Sequence, residues 1–203
     1  MSELSSTAAL WIGLAALPIL LAACTAFTKV SVVLSALRTG LGAEAILPWS
    51  ALLSLSLLVT AIVMGPIVGL TITAIDAVGG LSALAIDPLG VGPMVLEPIT
   101  GFLREHASGD ELAFFADLQG VVPEHPLALV PAFLVTELCE AFEMAVLVLV
   151  PLVVVDLLVA QGFALAGVPD KPLPLVTLPA KLLLFLAVNG WDVVIAGLVE
   201  GYR

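Results

Sequence analysis

Residues 45–75, AILPWSALLSLSLLVTAIVMGPIVGLTITAI, contain no charged side chain. The run exceeds the roughly 20 apolar residues with which an α-helix crosses the hydrocarbon core of a bilayer. A second uncharged run extends from Leu4 to Thr28. Two such runs place the chain in a membrane. The composition agrees, since 61% of the 203 residues are hydrophobic and only 11% are charged, where a soluble domain carries about 25%. The formal charge of -11, with six Lys and Arg, excludes a nucleic-acid partner because a phosphate track could not be neutralised. Cys24 and Cys139 lie in apolar stretches and offer neither disulfide nor zinc spacing.

Leu21-Ala22-Ala23-Cys24 resembles a lipoprotein processing site. A signal peptide needs a positive start, however, and Met1 to Thr7 carries only Glu3. The segment is expected to stay as the first membrane helix. It runs from about Ala8 to Val33 with Pro18 inside it, and Gly40 and Gly42 mark the following break. Pro48 suits the first turn of a second helix, expected to bend or break at Gly65-Pro66 because proline removes a backbone donor and crowds the preceding turn.

From Asp76 to His125 the composition turns acidic, with Asp87, Glu97, Glu105, Asp110, Glu111, Asp117 and Glu124 among glycines and prolines. This reads as a water-facing insertion holding one short helix around Leu112 to Leu118, opened by Ser108 or Asp110 as cap. Gly79-Gly80 and Gly90 to Gly92 read as turn glycines. Pro126 to Gly167 is apolar again, a proline-rich loop follows, and Leu175 to Val199 forms the last apolar segment. The expected fold is therefore an all-α integral membrane protein of bent, proline-interrupted helical hairpins. Within one subunit of residues 1–203, a first hairpin covers 1–75, a polar periplasmic insertion 76–125, and a second hairpin 126–203. Lys29, Arg38 and Lys171 lie in or beside short connections and favour the cytoplasmic side, which leaves both termini and the insertion opposite.

Glu137, Glu140 and Glu143 recur every three residues, forming one slowly drifting acidic stripe on a helix. A carboxylate facing lipid costs roughly 2.5–3.5 kcal/mol on insertion scales. The stripe must therefore face water, another subunit or itself. One reading is a proton or ion path; the other, which is preferred, is a helix standing in a protein–protein interface or above the membrane plane. Asp156 invites a pair with Lys181. Yet Asp156 lies eleven residues before Gly167, about 16 Å along a helix, while Lys181 is nearer the loop and can snorkel toward the surface. A partner on another subunit is expected for Asp156. His106 and His125 sit in the insertion with no nucleophile or metal-ligand spacing beside them, which argues against an enzyme.

Three stretches together resemble one family. They are Phe27-Thr28-Lys29-Val30 through Arg38 and Leu41-Gly42; Val130-Pro131-Ala132-Phe133 with Thr136-Glu137-Leu138 and Ala141-Phe142; and Asp156-Leu157-Leu158-Val159 with Leu178-Pro179-Ala180-Lys181-Leu182-Leu183-Leu184-Phe185 and Gly190-Trp191. They are similar to the motifs of the type III secretion export-gate family of SctR (YscR, SpaP) and flagellar FliP, in the same order. The resemblance implies a non-enzymatic subunit without cofactor or metal, located in the bacterial inner membrane with part of its complex in the periplasm. It further implies a homo-pentamer joined by SctS and SctT type subunits, served by a secretion ATPase and passing unfolded proteins. The missing positive leader and Lys29 lean toward the virulence branch. Glu137, Glu140, Glu143 and Asp156 become candidate subunit-interface residues. By position the pore constriction falls at Gly167, Val168, Pro169, Asp170, Leu173 and Leu175. The family carries a run of methionines there, and Ala164 to Pro174 has none. Glu143 is a second departure from the family pattern.

Overall fold

Residues 15, 18–20, 22 and 23 of the computed structural model are helical and a turn over 24–26 follows, where the hydroxyl of Thr25 accepts from the Phe27 N–H at 3.3 Å and the first helix described from end to end begins. Residues 15, 18–20, 22–167 and 173–202 are described, apart from the Leu89 side chain. Most of the first uncharged run lies outside them. Helix α1 spans Phe27–Leu41. Gly42 ends it with a φ of +69°, a left-handed conformation that glycine adopts without steric cost, so the break read at Gly40 and Gly42 is where the helix stops. Then follow α2 (Trp49–Ala77), α3 (Gly80–Ile86), α4 (Pro88–His106), α5 (Gly109–Gln119), α6 (Pro126–Leu165), α7 (Leu173–Ala187) and α8 (Gly190–Glu200). Among the described residues there is no strand, and the fold is all-α as expected.

The second helix starts beside Pro48, but Gly65-Pro66 does not interrupt it, because α2 continues to Ala77 with Pro66 inside. An isolated proline removes one helical donor, which a long apolar helix tolerates when its neighbours re-satisfy the freed group. Hydroxyls within this helix are satisfied locally. Ser56 donates to the Leu52 carbonyl at 2.9 Å and Thr60 to the Ser56 carbonyl at 2.7 Å. Ser54, Thr71 and Thr73 reach back one turn in the same way.

The insertion is more helical than its composition indicates. Gly79 and Gly80 do form a turn, with φ of +103° and +81°. Gly90 and Gly92, by contrast, lie inside α4, as do Pro93 and Pro98. The cause is a strong start: Asp87 accepts from the Gly90 N–H at 2.9 Å, and Pro88 occupies the first turn, where its missing donor is harmless. The short helix expected around Leu112 is α5, with Ser108 as its N-cap residue.

The chain divides into two compact units, residues 1–28 with 63–137 and residues 29–62 with 138–203. In the first, Phe102, Leu103, Ala128, Leu129, Ala132 and Phe133 are buried. The rings of Phe102 and Phe133 lie 5.6 Å apart. Thr136 Oγ1 accepts from the Ser108 N–H at 3.0 Å and donates to the Ala132 carbonyl at 2.9 Å, so one hydroxyl ties the start of α5 to α6. In the second unit, Val30, Val33, Leu34, Leu37 and Leu41 form the buried face of α1, at the three- and four-residue spacings that mark one side of a helix. Leu152 of α6 and Val194 and Leu198 of α8 are also buried there.

Two helices, Trp49–Ala77 and Pro126–Leu165, are long and apolar enough to cross a membrane. α7 and α8 meet at 62° and together could make a third span. Asn189 turns this corner with a φ of +52°. The Phe185 and Trp191 rings close it edge to face at 5.3 Å. A methyl group added at Gly190 would run into the Phe185 ring. Gly190→Ala should therefore cost about 1–3 kcal/mol, the usual penalty of overpacking. Gly69→Ala on α2, whose added Cβ meets nothing within 4 Å, should be neutral or better. Thermal unfolding of the two variants in one detergent compares them, and equal midpoints would refute the steric account.

Candidate functional site

Charge is scarce in this chain, so the places where it is buried are informative. Lys29, in the first turn of α1, is 1% exposed, and Lys181, on α7, is 7% exposed. Desolvation costs an ammonium group several kcal/mol unless a carboxylate meets it with good geometry. Both lysines meet that requirement on α6. Lys29 Nζ pairs with Glu140 Oε2. Lys181 Nζ lies 2.5 Å from Asp156 Oδ2 and donates to the Gly40 carbonyl at 2.9 Å. Gly40 sits so close to α6 that an added Cβ would strike Leu149.

The Lys181–Asp156 pair corrects the expectation that Asp156 needs a partner on another subunit. The error lay in the reference point. Measured from the helix ends, Asp156 is nine residues before Leu165 and Lys181 is eight after Leu173. At 1.5 Å per residue these are about 13 Å and 12 Å, so antiparallel helices bring the two side chains level.

Arg38 serves the turn after α1. Its Nε donates to the Leu47 carbonyl at 2.8 Å and its Nη2 to the Glu44 carbonyl at 2.9 Å. A planar guanidinium can hold two carbonyls at fixed separation, as an ammonium cannot.

The acidic stripe does not share one environment. Glu137 is 1% exposed, Glu140 is paired with Lys29 and its side chain is 47% exposed, and Glu143 is exposed. Each three-residue step turns the side chain back by roughly 60° about the axis, enough to carry the stripe from inside to outside over its length. Of the remaining family positions, Phe133 and Gly190 are buried, Phe27, Pro131 and Trp191 half-buried, and Pro179 exposed.

Of the proposed constriction, Val168, Pro169 and Asp170 lie outside the described residues. Gly167 has a φ of +67° at the end of α6. Leu173 is half-buried and Leu175 is 80% exposed. Among the described residues no group of three metal-ligating side chains comes together. Sequence reasoning missed Tyr202, whose ring centroid is 4.4 Å from Lys29 Nζ, and the role of the Gly40 carbonyl as the Lys181 acceptor. The sole tyrosine of an apolar chain was the available signal for the first; a backbone acceptor leaves none.

The description "FliP family" matches residues 10–198. The hypersensitivity response secretion protein HrcR of Ralstonia nicotianae is 32% identical, over 99% of this chain and 98% of its own length. The virulence protein YscR of Salmonella typhimurium is 30% identical, over 93% of this chain and 92% of its own. The flagellar biosynthetic protein FliP of Caulobacter vibrioides is 34% identical, over 88% of this chain and 69% of its own.

Removing one partner of a buried pair strands a charge and costs about 3–5 kcal/mol, whereas replacing both by apolar groups is often neutral. The Asp156 side chain is 37% exposed, so Asp156→Leu alone should destabilise by less than that, about 1–3 kcal/mol. The double variant Asp156→Leu/Lys181→Met should recover most of the loss. A double-mutant cycle on thermal unfolding in detergent measures the coupling, and strict additivity would show that the pair contributes nothing.

Proposed function

The chain belongs to the FliP family, and from that premise we propose that it is a structural and gating subunit of a type III protein-export gate in the bacterial inner membrane. The observation that carries the reading is the family match across residues 10–198, joined to two helices able to span lipid. The secretion relatives HrcR and YscR align over 98% and 92% of their lengths. In this reading the subunit performs no chemistry. It shapes a channel for unfolded proteins, and a partner ATPase and the proton-motive force supply energy.

The assembly is a pentamer of this chain with SctS and SctT type subunits. Its lateral contacts use the outer side of α6 around the exposed Glu143 and the half-open Glu140, while Glu137 and Asp156, also expected at the interface, stand deeper against their own subunit. Exposed large side chains such as Leu147, Leu158, Leu165 and Leu183 support burial in lipid or against neighbours, since a soluble monomer rarely shows so much contiguous apolar surface. A 40-residue α6 measures about 60 Å, twice a hydrocarbon core of roughly 30 Å. That length fits a complex standing partly in the periplasm. A proton path along the glutamates is less well supported, because the stripe drifts from buried to exposed instead of lining one wall.

Size measurement in mild detergent tests the reading: a large hetero-oligomer supports it, and a monomer or small homo-oligomer overturns it. Topology has its own test. With native cysteines replaced, Ser108→Cys should react with an impermeant thiol reagent from the periplasmic side, and labelling only from the cytoplasm would invert the orientation. We place the constriction at Gly167 to Leu175, where Val168 and Leu173 seal by dewetting. Deleting Val168 to Pro172 should let small solutes leak through the assembled complex. An assembled, tight complex would move the seal to another subunit.

A further inference from the structure

Helix α8 has one side packed against its own subunit and another side open. Gly190, Val194 and Leu198, four residues apart, are its buried positions. On the opposite side Asp192, Ile195, Ala196, Val199 and Glu200 line a crevice of about 360 Å³. Asp192, Ala196 and Glu200 are exposed, whereas Ile195 and Val199 are half-buried and give the crevice an apolar floor. Among the described residues neither carboxylate has an ion-pair partner. Asp192 stands in the first turn of α8, where the positive end of the helix favours it. Glu200 lacks that reason, because it is the last residue of the helix and the carbonyl end repels a carboxylate.

Charge decides what covers this side. Acyl chains do not suit it, since an ionised carboxylate facing lipid is costly and the crevice has one at each end. A second copy is a poor complement. The chain has 17 acidic side chains against six Lys and Arg, and three of those six are engaged, Lys29 and Lys181 on carboxylates and Arg38 on two carbonyls. The fitting complement is a cation at each end with aliphatic groups between. Asp192 and Glu200 are eight residues apart, about 12 Å along the axis, and the short side chain of Ala196 between them allows a close approach.

We propose that this side of α8 docks a helical segment of a different polypeptide, one carrying two Lys or Arg about two turns apart with aliphatic residues between them. Its cations meet Asp192 and Glu200, and its apolar stripe covers Ile195, Ala196 and Val199. The cation at Glu200 also meets the carbonyl end of α8, which turns a local repulsion in the isolated subunit into an attraction in the complex. The inference rests on this crevice and not on the export reading, so either can fail without the other.

The experiment uses the full chain in a neutral detergent and a fluorescent, Leu- and Ala-rich helical peptide with two Lys eight positions apart, read by anisotropy. Asp192→Asn/Glu200→Gln should weaken binding about tenfold, the scale of two exposed charge pairs together. The same peptide with Glu at both Lys positions should bind the native chain no better than the Lys peptide binds that double variant. Ala196→Leu keeps both carboxylates but fills the crevice, and should weaken the Lys peptide by a similar factor. Equal affinity for the two peptides overturns the proposal, as does unchanged affinity in the double variant or in Ala196→Leu. Light scattering tests the other occupant: self-association of the native chain that the double variant abolishes would put a second copy on this side and overturn the assignment.

Discussion

An ammonium group withdrawn from water costs several kcal/mol unless an anion meets it at close range, and the second unit withdraws two of them. Lys29 and Lys181 begin on different helices, and both end on carboxylates of α6. The surrounding interior is Val, Leu and Ala, whose packing is governed by shape and volume and tolerates sliding by a turn. A charge pair tolerates no such slide, because one turn is about 5.4 Å. Lys29 and Lys181 therefore fix the heights of α1 and α7 against α6. The Lys181 bond to the Gly40 carbonyl extends the same constraint to the end of α1. Arg38 adds the loop beyond it.

This arrangement bears on how an apolar chain avoids ambiguity. A core assembled from aliphatic side chains alone admits several near-equal packings, and polar pairs at a few buried positions select among them. The first unit uses a neutral version of the device. There the Thr136 hydroxyl joins the start of α5 to α6 beside the Phe102–Phe133 contact. In each unit the specifying groups lie on α6, which is consistent with its being the longest described helix.

How much of this was legible depended on the range of the interaction. The long helices and the break at Gly42 were readable because uncharged length and left-handed glycine are local signals. Helix α4 was not, because four helix-breaking residues, Gly90, Gly92, Pro93 and Pro98, outweigh in sequence a cap set by Asp87 alone. The Lys181–Asp156 pair was visible as a candidate and then lost by measuring from Gly167, when the heights are set by where each helix ends. Lys29 and Glu140 are 111 residues apart, and no pattern in either neighbourhood joins them. For the proposed constriction, the sequence supplies position by family resemblance and nothing in its residue pattern supplies shape.

The hydroxyls of α2 carry a consequence for how this helix meets its surroundings. Ser54, Ser56, Thr60, Thr71 and Thr73 each spend their proton on a carbonyl of their own helix. Their polarity is thus turned inward along the axis, and a neighbouring helix or acyl chain meets mainly methyl and methylene groups. Contacts of that kind lack directional bonds that must break before the partner moves. Against such a surface an adjoining element can rotate or translate in small increments, as a bearing does against its race, with friction set by fit alone.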